Sequence, residues 1–411
     1  MGVKGLAAFL RQKAPGGFVP AVAAADVAGK RVGVDVAITL HKGAAMEHKY
    51  GPLAALETLA QELAWLLELG CRPVYVFDGV APDLKAEETE RRRELRAGVQ
   101  ARLAAAEARL AEAPGDAEAQ ELAGKLRRQC CSVTEETRLR ARELLRALGV
   151  PSVEAPGEAE RALAHLQRAG RVDVIFTEDI DVLLCGASSY VKNYSLLRLP
   201  PWPAGTAATP ERCAEVVRAD AVLAGLGVSY EGLVTVGLLA GTDFAPKLPR
   251  MGPATAWKHV RQHGAELSAC KALEAAGLLE RYRQARALLS FDAGETGPSW
   301  SVDEDEPPDL AGLEALFAAL RQLGSLAVLR CHVERAADAR RRRSMTERPA
   351  KRSREGPREA EAEAEETEAA LVQPQPPARG DTPSPRDPEC SARSPETNPG
   401  SAEEKASPGL A

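Results

Sequence analysis

Seven acidic residues stand where carboxylates can do chemistry: Asp35, Asp78, Glu158, Glu160, Asp179, Asp181 and Asp243. Asp35, Asp78 and Asp179 close the short β-rich runs 31–35, 73–78 and 173–179. Glu158 and Glu160 follow the break Ala155-Pro156-Gly157, so they fall in the first turn of a helix, where negative charge is favoured. On a regular helix two residues span about 200°, so this pair does not share a face, but it can bracket an ion at the helix mouth. Asp179 and Asp181 are one two-residue step apart in extended chain and project to the same side. Asp243 follows the apolar run 233–240. Carboxylates gathered without a matching set of Lys or Arg repel and raise one another's pKa, and bound divalent cations resolve that conflict. No Cys or His accompanies these acids, so Mg2+ or Mn2+ fits better than zinc. Two such ions about 4 Å apart suit in-line attack of water on a phosphodiester.

The elements that position these acids follow from the pattern around them. Short apolar runs alternate with helical patterns, which predicts an α/β domain with a largely parallel sheet. Ligands of such sheets bind beyond the carboxyl ends of the strands, where three of the acids point at one crevice. The stretch 84–146 is rich in Ala, Leu, Glu and Arg, broken once at Pro114-Gly115-Asp116, and too weakly apolar for a full core face; it predicts a helical insertion standing partly off the body. The pattern is helical again from Gly252-Pro253 to about residue 335, apart from the acidic loop 303–309.

Composition limits the function classes. With 411 residues, 45% hydrophobic and 27% charged, the chain can bury one large core or two ordinary ones, and 4% aromatic content leaves that core to Ala, Leu and Val. A net charge of −6 excludes whole-molecule attraction to nucleic acid or anionic lipid, so any polyanion is met by a local patch. The eight cysteines form no C-x-x-C pair, which argues against a disulfide or zinc framework and for a reducing compartment. The N-terminus lacks an apolar signal core, and the most apolar window, 222–241, is interrupted by Glu231 and several glycines, so a soluble intracellular protein with no membrane partner is expected. From 336 onward, Arg340 to Arg343, Lys351-Arg352-Ser353-Arg354, an acidic run and Pro/Ser-rich sequence occur without a single Phe, Tyr or Trp. Such a stretch reads as a disordered tail whose basic cluster is either a solvated charge run or a nuclear localisation signal.

Five strings, taken together and in this order, resemble the XPG-type 5′ nucleases, the superfamily of flap endonuclease and of the mismatch-repair 5′-to-3′ exonuclease. They are Met1-Gly2-Val3-Lys4-Gly5-Leu6, Val76-Phe77-Asp78-Gly79, Glu154-Ala155-Pro156-Gly157-Glu158-Ala159-Glu160, Thr177-Glu178-Asp179-Ile180-Asp181 and Gly241-Thr242-Asp243-Phe244. The resemblance implies a PIN-like, mostly parallel sheet with helices on both faces, a helical arch, a helix-two-turn-helix element and further C-terminal helices. It divides the chain into an N-terminal nuclease region 1–100, an arch 84–146, an internal region 138–264, a helical extension 265–335 and the tail 336–411. It implies that Asp78, Glu158 and Glu160 ligate a first metal, with Asp35 held through water, and that Asp179, Asp181 and Asp243 serve a second.

Lys85, Arg92 and Arg96 fall within about 40° on one helical face, and the resemblance gives Lys85 and Arg92 the role of steering the scissile phosphate, with Arg96 on DNA. The arch is expected to place them only when substrate is present. His41, in Leu40-His41-Lys42-Gly43-Ala44, matches the position of a residue that stacks on the nucleotide near the cut, and the whole string is similar to the exonuclease branch. Gly2 would leave a small positive terminus near the site. In Leu248-Pro249-Arg250-Met251-Gly252-Pro253-Ala254, Arg250 stands at the family's first Gly and Ala254 at its basic position. Gly252 can still present a helix N-terminus to a phosphate, and the resemblance implies K+ at this loop, with Arg250 supplying the missing charge. The expected function is a two-metal, Mg2+-dependent 5′-to-3′ DNA exonuclease with flap endonuclease activity, acting as a monomer in the nucleus on 5′ ends, flaps and junctions. The alternatives are a flap endonuclease or Holliday-junction resolvase, and a catalytically silent DNA-binding scaffold. The tail, lacking aromatics, holds no sliding-clamp peptide of the replicative type.

Overall fold

Alternating side chains along short apolar runs build a sheet with two buried faces. The computed structural model describes residues 3–20, 22–198, 213–289 and 307–343. Among these described residues seven strands are formed: β1 (Phe18–Pro20), β2 (Arg31–Asp35), β3 (Arg72–Phe77), β4 (Ser152–Glu154), β5 (Val174–Phe176), β6 (Ser189–Lys192) and β7 (Glu215–Arg218). Their order is β1-β7-β6-β5-β2-β3-β4. Strands β4, β3, β2, β5 and β6 run parallel, and β7 pairs antiparallel with both β6 and β1. Successive side chains point to opposite faces. Thus Val74, Val76 and Ile175 enter one core, with helices Leu6–Lys13, Ala159–Arg168 and Tyr230–Ala240, while Val32, Val34, Tyr75, Phe77 and Phe176 enter the other, with helices Val36–Ala44, Ala54–Glu68 and Glu135–Ala147.

From β2 the chain proceeds to β3 and β4 on one side, then crosses to β5 on the other side of β2. That reversal is a topological switch point, and a crevice opens there beyond the strand ends. Close packing deepens it: Gly33 of β2 has no Cβ, and one added there would sit 2.8 Å from Leu163, so the helix Ala159–Arg168 approaches β2 more closely than a larger residue allows.

The insertion divides into two parts. Helices Ala86–Glu112 and Ala117–Cys130 pack on each other through a small cluster of Ala106, Ala123 and Leu126, and only Ala106 of the long helix is buried. The helix Glu135–Ala147 belongs to the body, because Ala141, Leu144 and Leu145 are fully buried in its core. Helix Tyr230–Ala240 and helix Pro253–His263 pack together across the loop that joins them, where the helix-two-turn-helix is expected, with Gly232 allowing Val260 to pack closely.

Residues 327–343 form one helix with Ala336, Ala337 and Ala339 buried against the body, so the tail boundary expected at residue 336 falls inside a packed helix. Its arginine run, Arg340 to Arg343, extends a helix whose alanine face supplies the burial that the aromatic count failed to signal. Residues 344–411 lie outside the described residues, as does Gly2. Among the described residues no single helix is long and apolar enough to cross a membrane.

Candidate active site

All seven acids, with His41, Lys85, Arg92 and Arg96, line one cleft of about 990 Å³ at the switch point. Asp35 ends β2, and Asp78 follows β3 directly. Asp35 is 3% exposed and accepts from the Ala37 N–H at 3.1 Å and the Thr177 hydroxyl at 3.3 Å. Asp78 accepts from the Ala159 N–H at 2.9 Å, which fastens the end of β3 to the start of the helix carrying Glu160.

Gly79 makes that contact possible. Its N–H bonds the Gly157 carbonyl at 2.8 Å, and a Cβ at this position would lie 1.8 Å from the Ala155 carbonyl oxygen. Gly79→Ala is therefore expected to force β3 and the 155–157 turn apart. Urea unfolding should register a loss of about 3 kcal/mol, and Mn2+ titration should show weakened binding as Asp78 moves from Glu158.

Asp78, Glu158 and Glu160 each offer an oxygen within 4.8 Å of the others. Regular helical spacing would have separated the two glutamates. Glu158 instead occupies the N-cap with extended backbone, φ −76° and ψ 142°, which turns its side chain back toward Asp78. Asp179 and Asp181 reach the cleft by a local turn rather than by extended chain. Strand β5 has already ended at Phe176, and the Asp181 N–H donates to Asp179 Oδ1 at 3.0 Å. Asp181 also accepts from the Val3 N–H at 3.1 Å, which brings the N-terminal segment to the site. Among the described residues Asp179, Asp181 and Asp243 line the cleft without forming a set as compact as the first three.

Crowding the anions has the consequence expected of it. Burial, then Asp78 and Asp179, push the Asp35 carboxyl up to about 7; burial and Asp179 push Asp181 up to about 8. Burial followed by Asp35, Asp179 and Asp78 raises Glu160, and burial raises Asp179. Burial and then Arg96 lower the His41 imidazole, which keeps it neutral at neutral pH. The donor set is entirely oxygen and converges. These are the properties that a hard divalent cation requires.

The cleft holds more cations than the acid spacing implied. Lys85 bonds Glu158 and lies 3.8 Å from Asp243; Arg92 donates to Asp243 at 2.6 Å and to Glu88 at 2.8 Å. Burial alone would lower the Lys85 ammonium, but Glu158, Asp243 and Glu160 hold its pKa above the ordinary value. Both cations thus sit against the acids of the site. Arg138 was not anticipated: it donates to the Asp78 carbonyl at 3.3 Å. Nor were Arg161, His165 and Arg168, which line the far wall, although their spacing on one helix is a legible signal. The buried Glu62 accepts from Thr39 at 3.0 Å and Tyr75 at 3.4 Å, anchoring the helix that begins after Asp35.

Arg250 and Gly252 are not among the residues lining this cleft; they belong to the loop before helix Pro253–His263. Arg250 has φ 60°, a left-handed conformation that glycine adopts freely. A non-glycine residue holds this turn at a cost of about 1 kcal/mol. Arg250→Gly is expected to raise the urea midpoint by a corresponding amount while weakening duplex binding, with a salt slope smaller by about one.

A doubly wound sheet with carboxylates beyond its strand ends, and a helix pair inserted between β3 and β4, frames the site. The XPG N-terminal domain matches residues 1–99 and the XPG I-region residues 149–243. Flap endonuclease 1 of Methanosphaerula palustris is 39% identical over 254 residues, covering 61% of this chain and 70% of that protein. Flap endonuclease 1 of Leishmania braziliensis is 28% identical over 364 residues, 83% of this chain and 87% of that one. The solved flap endonuclease-1 of Methanococcus jannaschii shares the fold with a TM-score of 0.55 at 22% identity, over 79% of this chain and 97% of that one. The chain belongs to the XPG-type 5′ nuclease superfamily.

Proposed function

We propose that this structure-specific 5′ nuclease is a Mg2+-dependent enzyme that degrades DNA in the 5′-to-3′ direction and also cuts 5′ flaps. The observation that carries it is the convergence of seven carboxylates from separate segments on one cleft with Lys85 and Arg92. Asp78, Glu158 and Glu160 would hold one ion, with Asp35 behind them, and Asp179, Asp181 and Asp243 a second, Mn2+ substituting for Mg2+. Such ions supply the Lewis acidity that activates water and stabilises the leaving oxygen.

The chain's own residues do the rest. Once Glu158 and Asp243 serve as ligands, the Lys85 ammonium and the Arg92 guanidinium are positioned to take a phosphate oxygen and stabilise its developing charge. Neutral His41 presents an uncharged ring to a nucleobase beside the cut, and its Leu40-His41-Lys42-Gly43-Ala44 setting supports the exonuclease reading. Arg96 continues the basic face of the arch helix toward DNA. The Arg250–Gly252 loop and the helix behind it would grip the duplex through phosphates, and its retained left-handed turn is compatible with K+ held by backbone carbonyls. Gly2 would stand near the site. Binding should weaken with salt despite the acidic total charge. Lys351-Arg352-Ser353-Arg354 supports a nuclear location, and the enzyme is taken to act as a monomer.

The names of the curated relatives favour a second reading, an enzyme that mainly cuts flaps. Matched blunt, nicked, 5′-flap and four-way DNA substrates, digested with Mg2+ beside a chelated control, separate the two. Release of mononucleotides from blunt and nicked 5′ ends is expected. A single cut confined to the flap base would replace the exonuclease reading, a cut confined to the four-way substrate would make it a resolvase, and DNA bound but uncut would make it a scaffold.

A further inference from the structure

The helix Leu279–Leu289 lies beyond every acid of the site and beyond the segments matched by the family. It nevertheless reaches both walls of the cleft. Arg281 Nη2 donates to the Leu84 carbonyl at 2.8 Å, and Arg281 Nε donates to the Phe244 carbonyl at 3.1 Å. Leu84 precedes Lys85, and Phe244 follows Asp243. The Phe244 ring itself lies under Lys85, with its centroid 5.9 Å from Nζ. Beside this strut, Tyr282 donates to the Pro246 carbonyl at 2.7 Å, so the loop leaving Asp243 is held at two points from the same helix.

We propose that Arg281 is a positioning residue that sets the separation between Lys85 and Asp243, by bridging the backbone beside one to the backbone beside the other. A guanidinium suits this task because its planar fork offers several N–H donors in fixed directions. Its charged neighbour, Glu87 at 3.7 Å, sits on the helix Ala86–Glu112, so the same side chain also links the base of the insertion to the C-terminal helix. Removing it leaves the carbonyls of residues 84 and 244 without this common donor. The walls would relax independently, and the ammonium would lose its alignment with the carboxylate 3.8 Å away. Small misplacements of this kind reduce rates by up to about 10²-fold. This inference rests on the assignment of Lys85 and Asp243 to the nuclease machinery.

The test is a double-mutant cycle on the full chain, read as single-turnover cleavage with Mg2+ on the substrate the wild type cuts fastest. Arg281→Ala is expected to slow cleavage by about tenfold or more while leaving DNA affinity, measured with Ca2+ in place of Mg2+, within about twofold. In a Lys85→Ala background the same substitution should cost less than about threefold, because there is no longer an ammonium to align. Arg281→Lys keeps the charge but not the fork and should fall between wild type and Arg281→Ala; it also serves as the probe if the alanine variant fails to fold. Full multiplication of the two effects, or an Arg281→Lys enzyme as slow as one with alanine but with lowered DNA affinity, would overturn the proposal. A wild type that cut none of the substrates would remove the nuclease reading itself, and the strut's role with it.

Discussion

Replacing Asp179 by Ala is expected to abolish Mg2+-dependent cleavage, with a rate loss of at least about 10³-fold, while junction DNA still binds. The acid is 5% exposed and lines the cleft, and its neighbours cannot supply its charge without moving strand ends that the core holds fixed. A structural role alone predicts the opposite pairing, with activity kept and stability lost. The companion substitution Asp179→Asn keeps the oxygen that accepts from the Asp181 N–H but removes a buried negative charge. The metal-free variant should therefore unfold at equal or higher urea concentration than the wild type near pH 8, yet remain inactive. Unchanged cleavage by either variant would remove the assignment of Asp179 to the reaction.

The second large effect is a coupling of stability, pH and metal. Asp35 and Asp181 titrate near 7 and 8 in the folded protein, against an ordinary 3.8, so below those values the metal-free fold binds protons that the unfolded chain releases. Where the folded state binds more protons, stability falls as pH rises. The metal-free protein should accordingly lose stability between about pH 4 and about pH 8, by an amount on the order of a few kcal/mol. Glu160 and Asp179, raised for the same reason, act in the same direction. Divalent ions bind the deprotonated carboxylates, so the rise in melting temperature on adding Mg2+ should be small near pH 5 and amount to several °C near pH 8. A Mg2+-induced rise independent of pH would mean that the ions bind outside this cluster.

Sequence and structure agree where chemistry is local. The run 31–35 becomes β2 without change, the run 73–78 becomes β3 one residue earlier, and the run 173–179 shrinks at both ends to β5, with Asp78 and Asp179 outside the sheet in the crevice. Placing Glu158 and Glu160 together was not legible from helical spacing, since the decisive fact is the extended backbone of the N-cap. The pairing of Lys85 and Arg92 with Glu158 and Asp243 was likewise hidden, because it joins residues far apart in the chain. Arg281 carried no sequence signal: both of its hydrogen-bond partners are backbone carbonyls, which any residue supplies, and the Glu87 carboxylate beside it is far away in the chain. The packed helix over 327–343 was missed for a different reason, a burial face made of alanine that looks like low-complexity sequence until something lies against it.

Anomalous diffraction from crystals grown with Mn2+ shows directly whether these carboxylates hold divalent ions. A strong peak bounded by Asp78, Glu158 and Glu160 is expected, with Lys85 withdrawn from Glu158. A cleft without manganese, in which Lys85 keeps Glu158 and Arg92 keeps Asp243 at saturating Mn2+, would contradict it.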